Sequence, residues 1–188
     1  MPRINPPARQ PLLGSLINSM LARQYGKRFP ALELLGHHPL YPLGYSFFSS
    51  IFGIGKTKLP HQTKLLVTQL VAEINGCAFC ADLGKRFARD ARHDLEKISR
   101  VLEFDHRADL YTPLERAALQ YALEATQVMA RVSDKTFLEL KKYFSEREIL
   151  ELTVAVATEN FYNRLNAPLE IEAQGFCAVP LSTRQSRT

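Results

Sequence analysis

Two cysteines three residues apart, Cys77 and Cys80, are the residues of this chain whose types and spacing could do chemistry. In the first turn of a helix, side chains at this spacing have Cβ atoms about 5–6 Å apart, close enough for a disulfide after a small adjustment. The unpaired N–H groups of a helix start also favour a thiolate, which lowers the thiol pKa and makes the sulfur reactive. The pair therefore indicates redox chemistry. This spacing has four interpretations: half of a zinc site, a thioredoxin-type centre, a helical thiol peroxidase centre, or two small buried residues paired by chance.

The surroundings of the two cysteines disfavour the zinc and thioredoxin interpretations. A zinc site needs about four ligands, but the only other cysteine is Cys177, and the five histidines show no ligand spacing. A thioredoxin centre follows a strand, whereas the apolar residues before Cys77 recur at helical intervals. We therefore expect no metal and no cofactor, and a CxxC motif that is entered from a helix through the short Asn75-Gly76 break.

Length and composition predict a single domain and exclude several classes of protein. The chain has 188 residues, 46% of them apolar, which is enough to bury a core. We expect one all-helical domain over residues 1–181 and a polar, disordered tail over residues 182–188. The net charge of +5 is spread thinly, so we expect no nucleic-acid partner. Residues 40–54 are too short and too interrupted to span a membrane, and three cysteines without a signal peptide predict a cytoplasmic protein.

Helix start signals recur along the rest of the chain. Apolar residues from Leu12 to Leu21 follow a helical period. The sequence Thr112-Pro113-Leu114-Glu115 combines an N-cap, a first-turn proline and a capping box, and predicts a helix through about Ala130. Ser133 is a predicted cap for the next helix, and a capping box over residues 145–148 opens an apolar helix that continues towards residue 160. Residues 104–111 form the longest predicted loop, so the fold class is all-α.

A resemblance to a known family is carried by the residues around the cysteines. Residues 71–80 read Val71-Ala72-Glu73-Ile74-Asn75-Gly76-Cys77-Ala78-Phe79-Cys80. This stretch resembles the centre of the carboxymuconolactone decarboxylase-like, alkylhydroperoxidase D-like proteins. Residues 114–119, 144–149 and 160–166 are similar to later helices of that family, so the resemblance covers about residues 40–175.

The resemblance implies an all-α, alkylhydroperoxidase D-like helical bundle with the CxxC at a helix start. It also implies homo-oligomers, which we expect to be built on dimers or trimers, and which would bury the apolar cluster of Phe47, Phe48 and Phe52. In many members the CxxC reduces hydroperoxides and is re-reduced by thiols. We therefore expect a peroxidase that reduces an organic hydroperoxide or hydrogen peroxide, with an unidentified thiol as reductant. The resemblance makes Cys80 the attacking and Cys77 the resolving cysteine, an order that the sequence itself leaves open.

Two positions depart from the peroxidatic members of the family. Those members carry a glutamate twelve residues before the first cysteine and a histidine four residues after the second, and this chain has Leu65 and Gly84 there. Neither side chain can move a proton. Glu73 is our first candidate for a substitute proton relay, and His61 is the second. The departure keeps two alternatives open, a non-catalytic or differently specialised family member and a lactone decarboxylase-type enzyme that needs no cysteine pair.

Overall fold

Helices make up the regular structure of the computed structural model, which describes residues 2–53 and 57–178. Within these residues no strand is present, and the predicted all-α class is confirmed. The predicted tail over residues 182–188 lies outside the described residues. The α-helices of the described part are α1 (Leu12–Tyr25), α2 (Pro30–Leu35), α3 (Tyr41–Phe48), α4 (His61–Ile74), α5 (Ala78–Asp90), α6 (Leu95–Ser99), α7 (Pro113–Thr126), α8 (Asp134–Leu140) and α9 (Glu146–Asn166).

Two hydrophobic cores hold these helices together. The larger core lies where α4 packs against α7 and α9, and Leu66, Leu119 and Leu152 are fully buried in it. These three helices turn apolar faces towards one another because their apolar residues recur every three or four positions. The smaller core surrounds Phe29 and Phe79 and includes both cysteines of the CxxC motif. The cysteine pair therefore lies inside the fold and not on a surface loop.

Local capping signals start the helices at the predicted residues. A reciprocal capping box joins Thr112 to Glu115 at the start of α7, and another joins Ser145 to Glu148 at the start of α9. The Ser133 hydroxyl accepts the N–H of the third residue of α8. Each of these contacts is made within four residues, which is why the sequence alone predicts it.

Helix α7 ends at Thr126, four residues before the predicted end near Ala130. The reason is the carboxylate of Glu124, which accepts the Ser133 N–H at 2.7 Å and the Thr136 hydroxyl at 2.6 Å. These contacts bring the start of α8 back against the last turn of α7. A straight helix through residue 130 would carry the chain away from Glu124, so the prediction was wrong at this end.

The break before the cysteines is a tight turn. Helix α4 ends at Ile74, and Gly76 has a φ of +64°, in the left-handed region that favours glycine. The Cys77 N–H donates to the Ala72 carbonyl at 3.0 Å, and α5 begins at the next residue. The predicted entry into the CxxC from a helix, through Asn75-Gly76, is confirmed.

The end of the described chain is tied to α5 directly after the cysteines. The Asp82 carboxylate accepts the backbone N–H groups of Gln174, Phe176 and Cys177 at 2.9, 2.9 and 3.2 Å. The buried Arg86 guanidinium donates to the Phe176 carbonyl. This segment covers one side of the helix that carries the cysteine pair.

Helix α1 leaves part of its predicted apolar face uncovered. Ile17 and Leu21 face the inside of the molecule, but Leu12, Leu16 and Met20 are 91%, 58% and 61% exposed. None of the helices in residues 2–53 and 57–178 is both long and apolar enough to cross a bilayer.

Candidate active site at the cysteine pair

The two cysteines lie in the first turn of α5, as their spacing predicts. Cys77 is the N-cap residue and Cys80 the third helical residue, and a disulfide joins them with their Cα atoms 5.3 Å apart. The Cys80 N–H donates to Cys77 Sγ at 3.3 Å, so a sulfur takes the capping position that a serine or aspartate oxygen takes elsewhere. Both sulfurs therefore lie in the positive end of the α5 dipole.

The two sulfurs differ in their access to a cavity. Cys80 forms part of the wall of a cavity of about 920 Å³, whereas Cys77 is 1% exposed and lies behind it. A molecule in the cavity therefore meets Cys80 first. This asymmetry is a tertiary feature and is independent of the spacing of the motif.

The cavity wall is mostly apolar. Such a space suits an organic molecule much larger than hydrogen peroxide, because small-molecule sites are typically apolar clefts with a few polar groups. The wall is built from helices α1 to α5, the turn after α3, and α9. Its apolar members include Ile17, Leu21, Phe29, Leu32, Phe52, Leu83 and Phe87.

Asn166 is the polar residue in contact with the accessible sulfur. Its Nδ2 donates to Cys80 Sγ at 3.5 Å, and the side chain is fully buried at the end of α9. A donor next to the sulfur and the N-terminus of α5 both favour the thiolate over the thiol. The arrangement can therefore activate Cys80 once the disulfide is reduced.

A small network of amides fixes the cysteine turn to α9. Asn75, in the break before the cysteines, donates from Nδ2 to Asn160 Oδ1 and to Asn163 Oδ1, both at 3.0 Å. Asn163 is fully buried. The turn that presents the cysteines is thus held against the same helix that supplies Asn166.

Both departures from the family's relay lie on the cavity wall. Leu65 and Gly84 line the cavity together with Gln69, which follows Leu65 by one turn of α4. A Cβ atom on Gly84 would lie 2.3 Å from Gln69 Oε1, so the glutamine amide fills the space beside the glycine. Gln69 Oε1 is buried without a hydrogen-bond donor, and so is Asn166 Oδ1. Both residues line the cavity, but these two oxygens are themselves buried within the wall.

The two relay candidates from the sequence lie in different places. Glu73 accepts from Gln69 Nε2 at 2.9 Å and pairs with Lys85 at 3.3 Å, and it is not part of the cavity wall. His61 is on the wall, with its Nδ1 2.8 Å from His93 Nε2. Burial lowers the His61 pKa below its usual 6.5, and the neighbouring His93 lowers it further. The described hydrogen bonds join neither residue to a sulfur, so their roles stay predictions.

Glu159 is a wall residue that sequence reasoning missed. It is half-buried on α9, and its Oε1 accepts from Asn163 Nδ2 at 2.7 Å. Burial raises the pKa of this carboxyl to about 7, against the smaller opposing effect of the Asn163 hydrogen bond. The spacing of Glu159, Asn163 and Asn166 at i, i+4 and i+7 is a signal that could have placed them on one inward face.

Among the described residues, no group of three or more histidine, cysteine or acidic side chains is arranged to hold a metal ion.

Comparison with known proteins supports the resemblance that the sequence suggested. Residues 46–124, which include the CxxC, match the Carboxymuconolactone decarboxylase family. The uncharacterized protein YnjA of Escherichia coli (strain K12) is 26% identical over 158 residues, covering 84% of this chain and 86% of that protein.

Solved structures share the fold of this chain at low sequence identity. An alkylhydroperoxidase AhpD core, an uncharacterized peroxidase-related protein from Ralstonia eutropha JMP134, matches with a TM-score of 0.82 and 16% identity, covering 95% of each chain. The debrominase Bmp8, as a cysteine-to-alanine variant in complex with 2,3,4-tribromopyrrole, matches with a TM-score of 0.79 and 19% identity, covering 95% of this chain and 96% of that one. The fold predicted from the resemblance is confirmed.

Proposed function

We propose that this protein is a thiol-dependent peroxidase that reduces organic hydroperoxides, with Cys80 as the attacking and Cys77 as the resolving cysteine. The observation that carries the proposal is that Cys80 opens on a large apolar cavity while Cys77 is buried behind it. Asn166 and the start of α5 favour a thiolate at the accessible sulfur. The volume and apolar wall of the cavity favour an organic hydroperoxide over hydrogen peroxide as substrate.

The reaction follows from the order of the two sulfurs. The Cys80 thiolate attacks the terminal oxygen of ROOH, so that an S–O bond forms while the O–O bond breaks, and the alkoxide takes a proton to leave as ROH. The Cys77 thiol then condenses with the Cys80 sulfenic acid, which releases water and forms the disulfide. Two equivalents of an external thiol, or one dithiol, reduce the disulfide and complete the cycle.

The experiment is turnover of cumene hydroperoxide with dithiothreitol as reductant. Wild type should consume the peroxide with a higher kcat/KM than it shows for hydrogen peroxide. Cys80→Ser should remove turnover, whereas Cys77→Ser, once reduced and freed of dithiothreitol, should react once and leave a sulfenic acid that dimedone labels on Cys80. Cys177→Ser is the matched control and should keep wild-type turnover. Peroxide consumption that survives Cys80→Ser would contradict the proposal.

Reductive dehalogenation of an aromatic substrate is a second candidate, favoured by the aromatic side chains of the cavity wall. The fold is shared with a debrominase. Two thiols and an aryl halide would give the disulfide, the arene and a hydrogen halide. Release of bromide from 2,3,4-tribromopyrrole by the reduced protein, with no consumption of cumene hydroperoxide, would favour this candidate over the peroxidase.

A further inference from the structure

The peroxide reaction needs a group that can move a proton inside the cavity. A thiolate that cleaves a hydroperoxide expels an alkoxide, and a positioned acid is worth about 10²–10⁴-fold in such a step. Leu65 and Gly84, which hold the family's relay positions on the wall, have no proton to give. The described wall contains one carboxyl besides Asp90, and it belongs to Glu159.

We propose that Glu159 is the proton-transferring residue of this site, a role that rests on the hydroperoxide reduction proposed above. Its carboxylate accepts the Cys80 thiol proton through water in the cavity and returns it to the alkoxide oxygen as the O–O bond breaks. The net step is Cys80–SH + ROOH → Cys80–SOH + ROH, in which the sulfur is oxidised, the peroxide is reduced and Glu159 ends unchanged.

The geometry of α9 places the carboxyl on the same cavity as the reacting sulfur. Glu159 and Asn166 are seven residues apart, which is two helical turns, so they share one face and lie about 10.5 Å apart along the axis. Asn166 contacts Cys80 Sγ, and both Glu159 and Cys80 line the same cavity. This separation leaves room for a hydroperoxide and water between the sulfur and the carboxyl.

The carboxyl is also held in place for this role. Asn163 Nδ2 donates a hydrogen bond to Glu159 Oε1. Asn163 Oδ1 in turn accepts a hydrogen bond from Asn75, next to the cysteine turn. The described contacts give no donor to Oε2, which leaves this oxygen for the cavity. Burial raises the Glu159 pKa to about 7, so the group exchanges its proton readily near neutral pH.

The wall carries other ionisable groups on α1, α3, α4, α5 and α9 and in the segment before α4. Tyr45 on α3 and Tyr162 on α9 have pKa values raised above 10 by burial, and stay protonated near neutrality. On α4, burial holds the pKa of His61 below 6.5 and that of Lys64 below 10.5. The remaining ionisable groups of the wall are Tyr25, whose pKa burial also raises, Lys58, and Asp90, which pairs with Arg86 at 2.7 Å.

The test compares Glu159→Gln with wild type in the turnover of cumene hydroperoxide by the full chain. Glutamine keeps the size of the side chain and can still accept from Asn163. We expect kcat/KM at pH 7 to fall by about 10²–10⁴-fold. The wild-type pH profile should be bell-shaped, because the active form holds one proton shared between Cys80 and Glu159. In Glu159→Gln the profile should become a single rising curve that follows thiol ionisation.

Three further variants complete the test. Glu146→Gln, an exposed glutamate in the first turn of the same helix, is the matched control and should behave as wild type. Glu159→Asp keeps the acid on a shorter side chain and should restore part of the lost rate and the bell shape. Glu73→Gln tests the competing carboxylate, and a comparable loss in that variant instead of in Glu159→Gln would assign the role to Glu73.

Alkylation of Cys80 by iodoacetamide separates proton transfer from folding and thiol activation. Iodide leaves without a proton, so at a pH high enough to ionise the thiol, Glu159→Gln should alkylate at close to the wild-type rate while its peroxide rate falls. An unchanged peroxide rate and bell-shaped profile in Glu159→Gln, with turnover still abolished by Cys80→Ser, would overturn this inference and leave the peroxidase proposal standing. Wild type without Cys80-dependent peroxide loss would overturn both.

Discussion

Replacing Asn166 by leucine should raise the pKa of the Cys80 thiol by about one to two units. Asn166 Nδ2 donates to Cys80 Sγ at 3.5 Å from a fully buried position. A hydrogen bond to a charged group contributes about 1.5–3 kcal/mol, and one pKa unit corresponds to about 1.4 kcal/mol. Leucine has a similar size and no donor, so it removes this preference for the thiolate while filling the same space.

The pKa change sets the size of the effect on rate. Below the thiol pKa, each unit lowers the thiolate fraction about tenfold, while the more basic sulfur becomes about threefold more nucleophilic. The net loss is therefore about threefold per unit, or about 3- to 10-fold for the expected shift.

The assay is the rate of iodoacetamide alkylation against pH in a Cys77→Ser, Cys177→Ser background, where Cys80 is the remaining thiol. The same background with Asn166 intact is the matched control, and free glutathione corrects for the reagent. A thiol pKa that is the same with Asn166 and with leucine would refute the reasoning. The start of α5 alone would then account for the reactivity of Cys80.

Three further predictions follow from burial and exposure. Gly84→Ala should lower the Tm, because its Cβ would lie 2.3 Å from Gln69 Oε1. Adding Gln69→Ala to the same chain should recover part of this loss. If Gly84→Ala lowers the Tm equally in the wild-type and the Gln69→Ala background, the prediction is wrong. Since folding raises the Glu159 pKa from 4.5 to about 7, the stability it contributes is present below pH 4.5 and is lost as the pH rises through 7. Glu159→Gln should therefore have a higher Tm than wild type at pH 8 and an equal Tm near pH 4.5. A difference in Tm between the two proteins that does not change with pH would contradict the raised Glu159 pKa. Leu16 and Phe47 are 58% and 65% exposed, so we expect an oligomer that covers them. Light scattering should give a dimer, a trimer or a multiple of these for wild type, and smaller species for the double variant Leu16→Glu, Phe47→Glu. A wild-type mass of 21.3 kDa would exclude assembly.

Features that depend on a few neighbouring residues could be predicted from the sequence. The capping boxes at Thr112 and Ser145 start their helices as expected, because each uses groups within four residues. The placement of Cys77 and Cys80 in one helical turn follows from their spacing and from the glycine turn before them. The resemblance to the Carboxymuconolactone decarboxylase family and the all-α fold follow from the same stretch, taken together with its downstream helices.

Features that depend on distant segments were decided by the tertiary structure. Only the packing of α9 against α4 and α5 brings Asn166 to Cys80, 86 residues away in the chain, and sets Glu159 on the wall of the same cavity. The Glu159 pKa is raised by burial, which is a property of everything packed around the carboxyl and not of its neighbours in sequence. Gln69 likewise fills the space beside Gly84 because α4 and α5 lie side by side. The sequence by itself determined that two reactive thiols share a helix start, and the packing of the helices decided which thiol faces the cavity and which groups surround it.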